Sequence, residues 1–186
     1  FVGTGYGVNR TQVMYNDFVL IGPKEDSAMV EGMKTAAALK KINENKSKFF
    51  SRGDNSGTNK KEISLWKQAI NKAPEKASWY VQTGQGMLRT INMAAEKNGY
   101  TMTDRGTWIK YESQKTDKNS MKIVVEGDKT LFNQYSVVSI NKEKCSNVKP
   151  KLAAQFTNWV TKPETQQTIA DFRLLGKALF IPNADK

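Results

Sequence analysis

Three times along this chain a short apolar run ends in a glycine-bearing turn and opens into a segment of helical periodicity, and that recurrence restricts the fold more than any other feature. Phe49-Phe50 runs into Ser51-Arg52-Gly53-Asp54-Asn55-Ser56-Gly57-Thr58, after which Ile63, Trp66, Ala69 and Ile70 recur at helical spacing. Trp79-Tyr80-Val81 leads through Thr83-Gly84-Gln85-Gly86 to Met87, Leu88, Ile91, Ala94 and Ala95, a helix that Gly99 stops. Tyr100 to Thr103 is extended again and passes through Asp104-Arg105-Gly106-Thr107 into a short segment with Trp108 and Ile109. Strands alternating with helices predict an α/β architecture with a mainly parallel sheet. Tyr15 to Gly22, Ile123 to Val125 and Tyr135 to Ile140 add three strands. A helix is expected over Ala28 to Asn45, on a stripe of Met29, Met33, Ala37, Leu39 and Ile42. Another is expected over Lys151 to Phe172, broken near Thr161 by Pro163. Asn59 and Glu62 have the spacing of a capping box.

Composition narrows the chemistry. The 186 residues contain no histidine, which removes Ser-His-Asp and Cys-His catalysis and His-ligated metals together. The single cysteine, Cys145, allows neither an internal disulfide nor a thiolate cluster and reads as a buried structural thiol. A formal charge of +11 favours anionic partners. The lysines, such as Lys40, Lys41, Lys46 and Lys48, are nevertheless scattered over helical faces, and no nucleic-acid motif accompanies them, so the excess reads as a solvated surface. No apolar run approaches the roughly 18 residues of a membrane span. Phe1-Val2-Gly3 is neither a start methionine nor a signal peptide, as expected of a processed chain or of a piece of something longer.

A glycine-rich turn that feeds a helix offers unpaired N–H groups and the positive end of the helix dipole, which suits an anion. In Ser51 to Thr58, Arg52 adds a cationic fork, Ser56 and Thr58 add hydroxyls, and Gly57 admits close approach. The same pattern also fits a plain capped turn in which Ser56 or Thr58 satisfies the helix, and Asp54 is awkward for an anion site unless it pairs with Arg52 or forms an Asx-turn. Thr83 to Met87 is a second candidate contact that is also readable as a simple turn, and Arg105 a third that is also readable as a surface arginine. No nucleotide-binding loop is present, since no Gly-Lys-Ser/Thr follows Gly57. Three such turns at the carboxyl ends of strands would line one crevice of an open α/β sheet.

At these turns the chain resembles the tungstate-binding periplasmic proteins, the solute receptors of tungstate ABC transporters. The resemblance rests on Ser51 to Thr58, Thr83 to Met87 and Thr103-Asp104-Arg105-Gly106-Thr107-Trp108. Gly7-Val8-Asn9-Arg10, Met14-Tyr15-Asn16-Asp17-Phe18, Val125-Glu126-Gly127-Asp128 and Ala170-Asp171-Phe172 support it. It implies a type II periplasmic binding protein fold of two lobes with mainly parallel sheets, joined by a two-strand hinge formed beside Tyr15 to Gly22 and Tyr135 to Ile140. Lobe two would span 24–131, and 1–23 with 132–186 would supply the hinge strands and the C-terminal part of lobe one. The resemblance further implies a tetrahedral oxyanion, tungstate or molybdate, bound without cofactor, metal or catalysis by Arg52, Ser56, Gly57 and Thr58, with Gly84, Gln85, Gly86, Met87 and Arg105 as secondary cleft residues. The implied setting is periplasmic, the implied partner an ABC transporter permease, with neither nucleic acid nor membrane insertion, and the full-length form a monomer. Asn59 stands where relatives often carry histidine. Family members also begin with a Thr/Ser-rich strand and a first βαβ segment that this sequence lacks, so lobe one is expected to be incomplete and part of the ligand shell missing. The apolar face of Lys151 to Phe172, with Leu152, Phe156, Trp159 and Ile169, then needs cover from elsewhere.

Two other oxyanion readings follow from chemistry alone. Tungstate and molybdate accept hydrogen bonds only, whereas monohydrogen phosphate brings a proton that needs an acceptor; sulfate also fits a site made of donors. An effector domain of a transcription regulator would share the fold, but no helix-turn-helix is visible. An enzyme handling phosphoryl groups would need paired acids at a metal-binding spacing, which the sequence does not offer.

Overall fold

The computed structural model describes residues 1–115 and 120–184. The chain divides into two units, Asp17–Phe132 on the one hand and Phe1–Asn16 with Asn133–Lys186 on the other, and passes between them after Asn16 and again after Phe132.

The first of these is a three-layer α/β unit. Its elements in chain order are the second half of β1 (Gly7–Pro23), α1 (Thr35–Glu44), β2 (Phe49–Ser51), α2 (Gly57–Ile70), β3 (Tyr80–Gln82), α3 (Met87–Glu96), β4 (Tyr100–Asp104), α4 (Arg105–Gln114) and β5 (Met121–Val125). The strands lie in the order β3-β2-β4-β1-β5. Strand β2 is parallel to β3 and β4, while β1 is antiparallel to β4 and β5, so every strand but β1 runs the same way and the sheet is mainly parallel, as expected.

Successive side chains of a strand face opposite sides, and β1 uses both. Phe18 and Leu20 pack with Ala38, Leu39 and Ile42 of α1 and Leu65 and Trp66 of α2, whereas Val19 and Ile21 pack with Met87, Ile91 and Ala94 of α3 and Trp108 and Tyr111 of α4. A strand covered on both faces needs a continuous apolar run, which is why Phe18-Val19-Leu20-Ile21 shows no polar alternation. Each of these side chains is at most 6% exposed, and burial on that scale contributes about 1.5–3 kcal/mol per large apolar residue.

Two expectations need correction here. The helix expected over Ala28 to Asn45 starts only at Thr35. Asp26 Oδ2 accepts from the N–H groups of Val30 (2.8 Å) and Glu31 (2.9 Å), and Asp26, Met29 and Gly32 have positive φ, so the segment coils before α1 and leaves Met29 68% exposed. The N-cap of α2 is Ser56, whose Oγ accepts from Asn59 N at 3.3 Å; Asn59 and Glu62 form no capping box and are buried inside the helix.

The second unit contains the first half of β1, β6 (Phe132–Ile140), α5 (Pro150–Thr161), α6 (Pro163–Asp171), the hairpin β7 (Arg173–Leu174) with β8 (Lys177–Ala178), and β9 (Ile181–Pro182). Both β6 and β9 pair with β1. The break expected near Thr161 falls between α5 and α6, each opening with a proline at its first position, where the missing N–H costs nothing. Neither helix has a buried residue, and Val13 is the one buried hydrophobic side chain of this unit among the described residues.

Candidate anion-binding site

Because β2, β3 and β4 are parallel, their carboxyl ends share one edge, and α2, α3 and α4 all begin there. That edge collects three helix N-termini, each with unpaired N–H groups. The turn after β2 makes a sharp exit at Gly53, where φ is +60° and an added Cβ would come within 2.8 Å of Gln82 Cβ, so only glycine fits. Thr83 N donates to Ser51 O (2.9 Å) and Gly84 N to Arg52 O (2.8 Å), which binds the second turn to the first.

Arg52 does not project freely. Its Nε and Nη2 both donate to Asp54 Oδ2, the Nε bond at 3.0 Å. Asp54 Oδ1 accepts from Ser56 N at 3.2 Å, so the carboxylate both pairs with the arginine and makes an Asx-turn. Slight burial pushes the Asp54 carboxyl up, but the hydrogen bonds from Ser56 and Arg52 outweigh it and hold it below its ordinary value. Ser56 Oγ accepts from Asn59 N at 3.3 Å, and both its side chain and its backbone N–H contribute to holding the Asp54 carboxyl down. Gly57 is exposed and Thr58 half-buried at the first two positions of α2, where backbone N–H groups have no partner inside the helix. The four candidates Arg52, Ser56, Gly57 and Thr58 thus come together as a guanidinium, two hydroxyls and a helix N-terminus.

Of the secondary candidates, Gly84 and Gly86 are exposed and Gln85 half-buried. Gln85, Gly86 and Thr107 line an open groove of about 440 Å³ with the cations Arg89 and Lys110. Met87 is 7% exposed and its side chain belongs to the core beneath, so it can offer that edge only its backbone. Arg105 is committed elsewhere: its Nε and Nη2 grip Asp17 Oδ1 and Oδ2, each at 2.6 Å, and Nη2 also reaches Glu126 Oε2 at 2.8 Å. The hydrogen bonds from Arg105 to Asp17 raise its already high pKa. It joins the start of α4 to β1 and to the turn after β5, with Nε and Nη2 both engaged by carboxylates.

Three residues outside the candidate ligands, Ser51, Asn59 and Glu62, also belong to the site. Glu62, 3% exposed, accepts from Ser51 Oγ (2.6 Å), Tyr80 OH (2.6 Å) and Trp66 Nε1 (3.0 Å). Ser51 Oγ in turn accepts from Gly53 N (3.3 Å) and Asn59 Nδ2 (3.1 Å), and Asn59 Oδ1 accepts from Asn55 N (3.0 Å). Burial pushes the Glu62 carboxyl above its ordinary value against these donors. The capping-box spacing of Asn59 and Glu62 singles out both residues but assigns them the wrong role, since the cap is Ser56. Cys145 is half-buried, not the fully buried thiol expected, and no cluster of three or more acidic or thiol side chains suited to a metal occurs among the described residues.

Helix N-termini gathered at the carboxyl edge of a mainly parallel sheet make this an α/β unit of the class that takes its ligands at that edge, with donors suited to an anion. Comparison with known proteins agrees. The PBP superfamily domain matches residues 2–164. The tungstate-binding protein TupA of Campylobacter jejuni is 48% identical over 99% of this chain and 68% of its own length, and that of Peptoclostridium acidaminophilum is 42% identical over 100% of this chain and 65% of its own. The solved tungstate-binding protein TupA of Desulfovibrio alaskensis is 62% identical, with a TM-score of 0.93 over 100% of this chain and 74% of that one. The chain belongs to the PBP superfamily and, within it, to the family of tungstate-binding proteins, and it spans about two thirds of the length of the curated relatives it matches.

Proposed function

We propose that this chain is the ligand-capturing part of an extracytoplasmic solute receptor that takes up a fully deprotonated tetrahedral oxyanion, tungstate or molybdate, for an ABC transporter permease. The unit Asp17–Phe132 corresponds to lobe two, and β1 and β6 to the hinge strands. Arg52, Ser56, Gly57 and Thr58 make the primary contact, with Gly84, Gln85 and Gly86 as a second one. Met87 takes part through its backbone alone, and Arg105 braces the edge.

One observation carries the reading. At the start of α2 the groups left over for a ligand are donors, while both oxygens of the local carboxylate, Asp54, are already occupied by Arg52 and Ser56 N. A dianion without protons needs only donors, whereas monohydrogen phosphate would present a proton with no acceptor to receive it. The names of the relatives, tungstate-binding proteins in Campylobacter, Peptoclostridium and Desulfovibrio, support the same ligand. The receptor binds without turning its ligand over, and its full-length form acts as a monomer with neither nucleic acid nor bilayer as partner; among the described residues no helix is long and apolar enough to cross a membrane.

A thermal-shift panel of tungstate, molybdate, sulfate and phosphate tests this, because a ligand bound only by the native state raises the midpoint. Tungstate and molybdate should stabilise most. A phosphate shift as large as that of tungstate would move the assignment to a different oxyanion.

A further inference from the structure

Resting on that reading of the site, we propose that Glu62 is the positioning residue of the oxyanion loop, acting through Ser51 and Asn59 to set which backbone N–H groups of the loop are tied down and which face the ligand.

Hydrogen-bond polarity sets the order of contacts in this network. A serine hydroxyl has one proton and two lone pairs. Glu62 takes the proton of Ser51, at 2.6 Å, and that leaves both lone pairs to accept from Gly53 N and from Asn59 Nδ2. With its amide nitrogen committed to Ser51, Asn59 must present Oδ1 to Asn55 N. Gly53 and Asn55 flank Asp54, the residue that holds Arg52. The two pinned N–H groups therefore fix the backbone on either side of the Arg52–Asp54 pair and leave the first N–H groups of α2 for the anion. Ser51, Asn59 and Glu62 are 1%, 4% and 3% exposed, so the network is shielded from bulk water and losing a member leaves a buried partner to be satisfied anew. Tyr80 and Trp66 hold the other carboxylate oxygen, which fixes the rotamer of Glu62 itself. The donors Ser51, Tyr80 and Trp66 are neutral, and no salt bridge reaches Glu62 among the described residues, so the side chain is kept for its acceptor geometry and not for an ion pair.

Replacing Glu62 by glutamine separates this role from simple packing. In Glu62→Gln the carbonyl oxygen still accepts from Tyr80 and Trp66 and the shape is retained. The amide now donates to Ser51, so the Ser51 proton must displace either Gly53 N or Asn59 Nδ2. Tungstate titration by calorimetry should show the dissociation constant rising about tenfold or more in Glu62→Gln, the effect of about one charge-assisted hydrogen bond. Ser51→Ala should lose a similar factor, and the double variant should bind no more weakly than the weaker single one, since both act on one path. Wild-type affinity in a folded Glu62→Gln protein, or losses that multiply in the double variant, would overturn the proposal. A second measurement needs no variant: in the ligand-free wild type the amide protons of Gly53 and Asn55 should exchange as slowly as those of the sheet, although the loop lies at the surface, and free exchange there rejects the proposal. A wild type that binds no tungstate rejects the functional reading instead, and amide exchange then decides the positioning role alone.

Discussion

Arg52 is the residue on which the ligand chemistry turns. A guanidinium offers two parallel donors and a charge that survives at any working pH, and Asp54 already orients it. Arg52→Ala should weaken tungstate binding by about 1.5–3 kcal/mol, and Arg52→Lys should not restore it, because a point charge cannot replace a fork. Asp54→Asn should leave tungstate and molybdate ahead of phosphate, since the aspartate faces its own arginine and not the ligand; competitive titration would show a reversal if that is mistaken. Asp128 offers a prediction in stability. Its Oδ2 accepts from Thr35 N at 2.9 Å, at the start of α1, and its Oδ1 from Thr130 N at 3.0 Å. Partial burial raises the carboxyl, but those backbone bonds win and bring it down to about 2. A folded pKa below the unfolded value means that this contribution is present in full above the ordinary carboxylate range and is lost as the pH falls through about 2. Asp128→Ala should accordingly cost about 1 kcal/mol at neutral pH, the value of a helix cap, and the gap from wild type in thermal unfolding should close on acidification.

At the scale of elements, what the amino-acid sequence makes legible is local. The strand–turn–helix units around Phe49, Tyr80 and Tyr100 are readable because each strand is a short apolar run and each helix follows its turn within a few residues. The proline between α5 and α6 is readable for the same reason. The failures involve partners far apart in the chain. Met29 and Met33 continue a helical stripe on paper, yet Asp26, anchored by Tyr100 OH at 2.8 Å across 74 positions, ties up the preceding N–H groups and delays α1 to Thr35. The site follows suit. The Arg52 to Thr58 segment is visible as a motif, whereas the capture of Arg105 by Asp17, 88 positions away, and the burial of Glu62 under Ser51 are not. Helix α5 gives a prediction of its own. Leu152 and Trp159 are 57% and 55% exposed, so serine at either position should change the stability of this chain by less than about 0.5 kcal/mol. Trp66, fully buried on α2, should cost about 3–5 kcal/mol as Trp66→Ala. Denaturant titrations that rank the two helices the other way would show that α5 buries its apolar face.

Across the whole molecule, order and ligand chemistry concentrate in Asp17–Phe132. That unit holds both apolar clusters, the parallel edge and every primary candidate residue, while the unit of Phe1–Asn16 and Asn133–Lys186 buries a single large-core type side chain, Val13, among the described residues. Amides of β1, β2 and β4 should therefore exchange last and those of α5 and α6 early. The central claim is that a donor-only site at the start of α2 selects a proton-free tetrahedral dianion, and calorimetric titration of wild type and Arg52→Ala with tungstate and with phosphate at neutral pH addresses it most directly. Tungstate binding should be saturable, should exceed phosphate binding and should fall about tenfold or more in the variant. Phosphate bound as tightly as tungstate, or tungstate affinity unchanged in a folded Arg52→Ala protein, would contradict that claim.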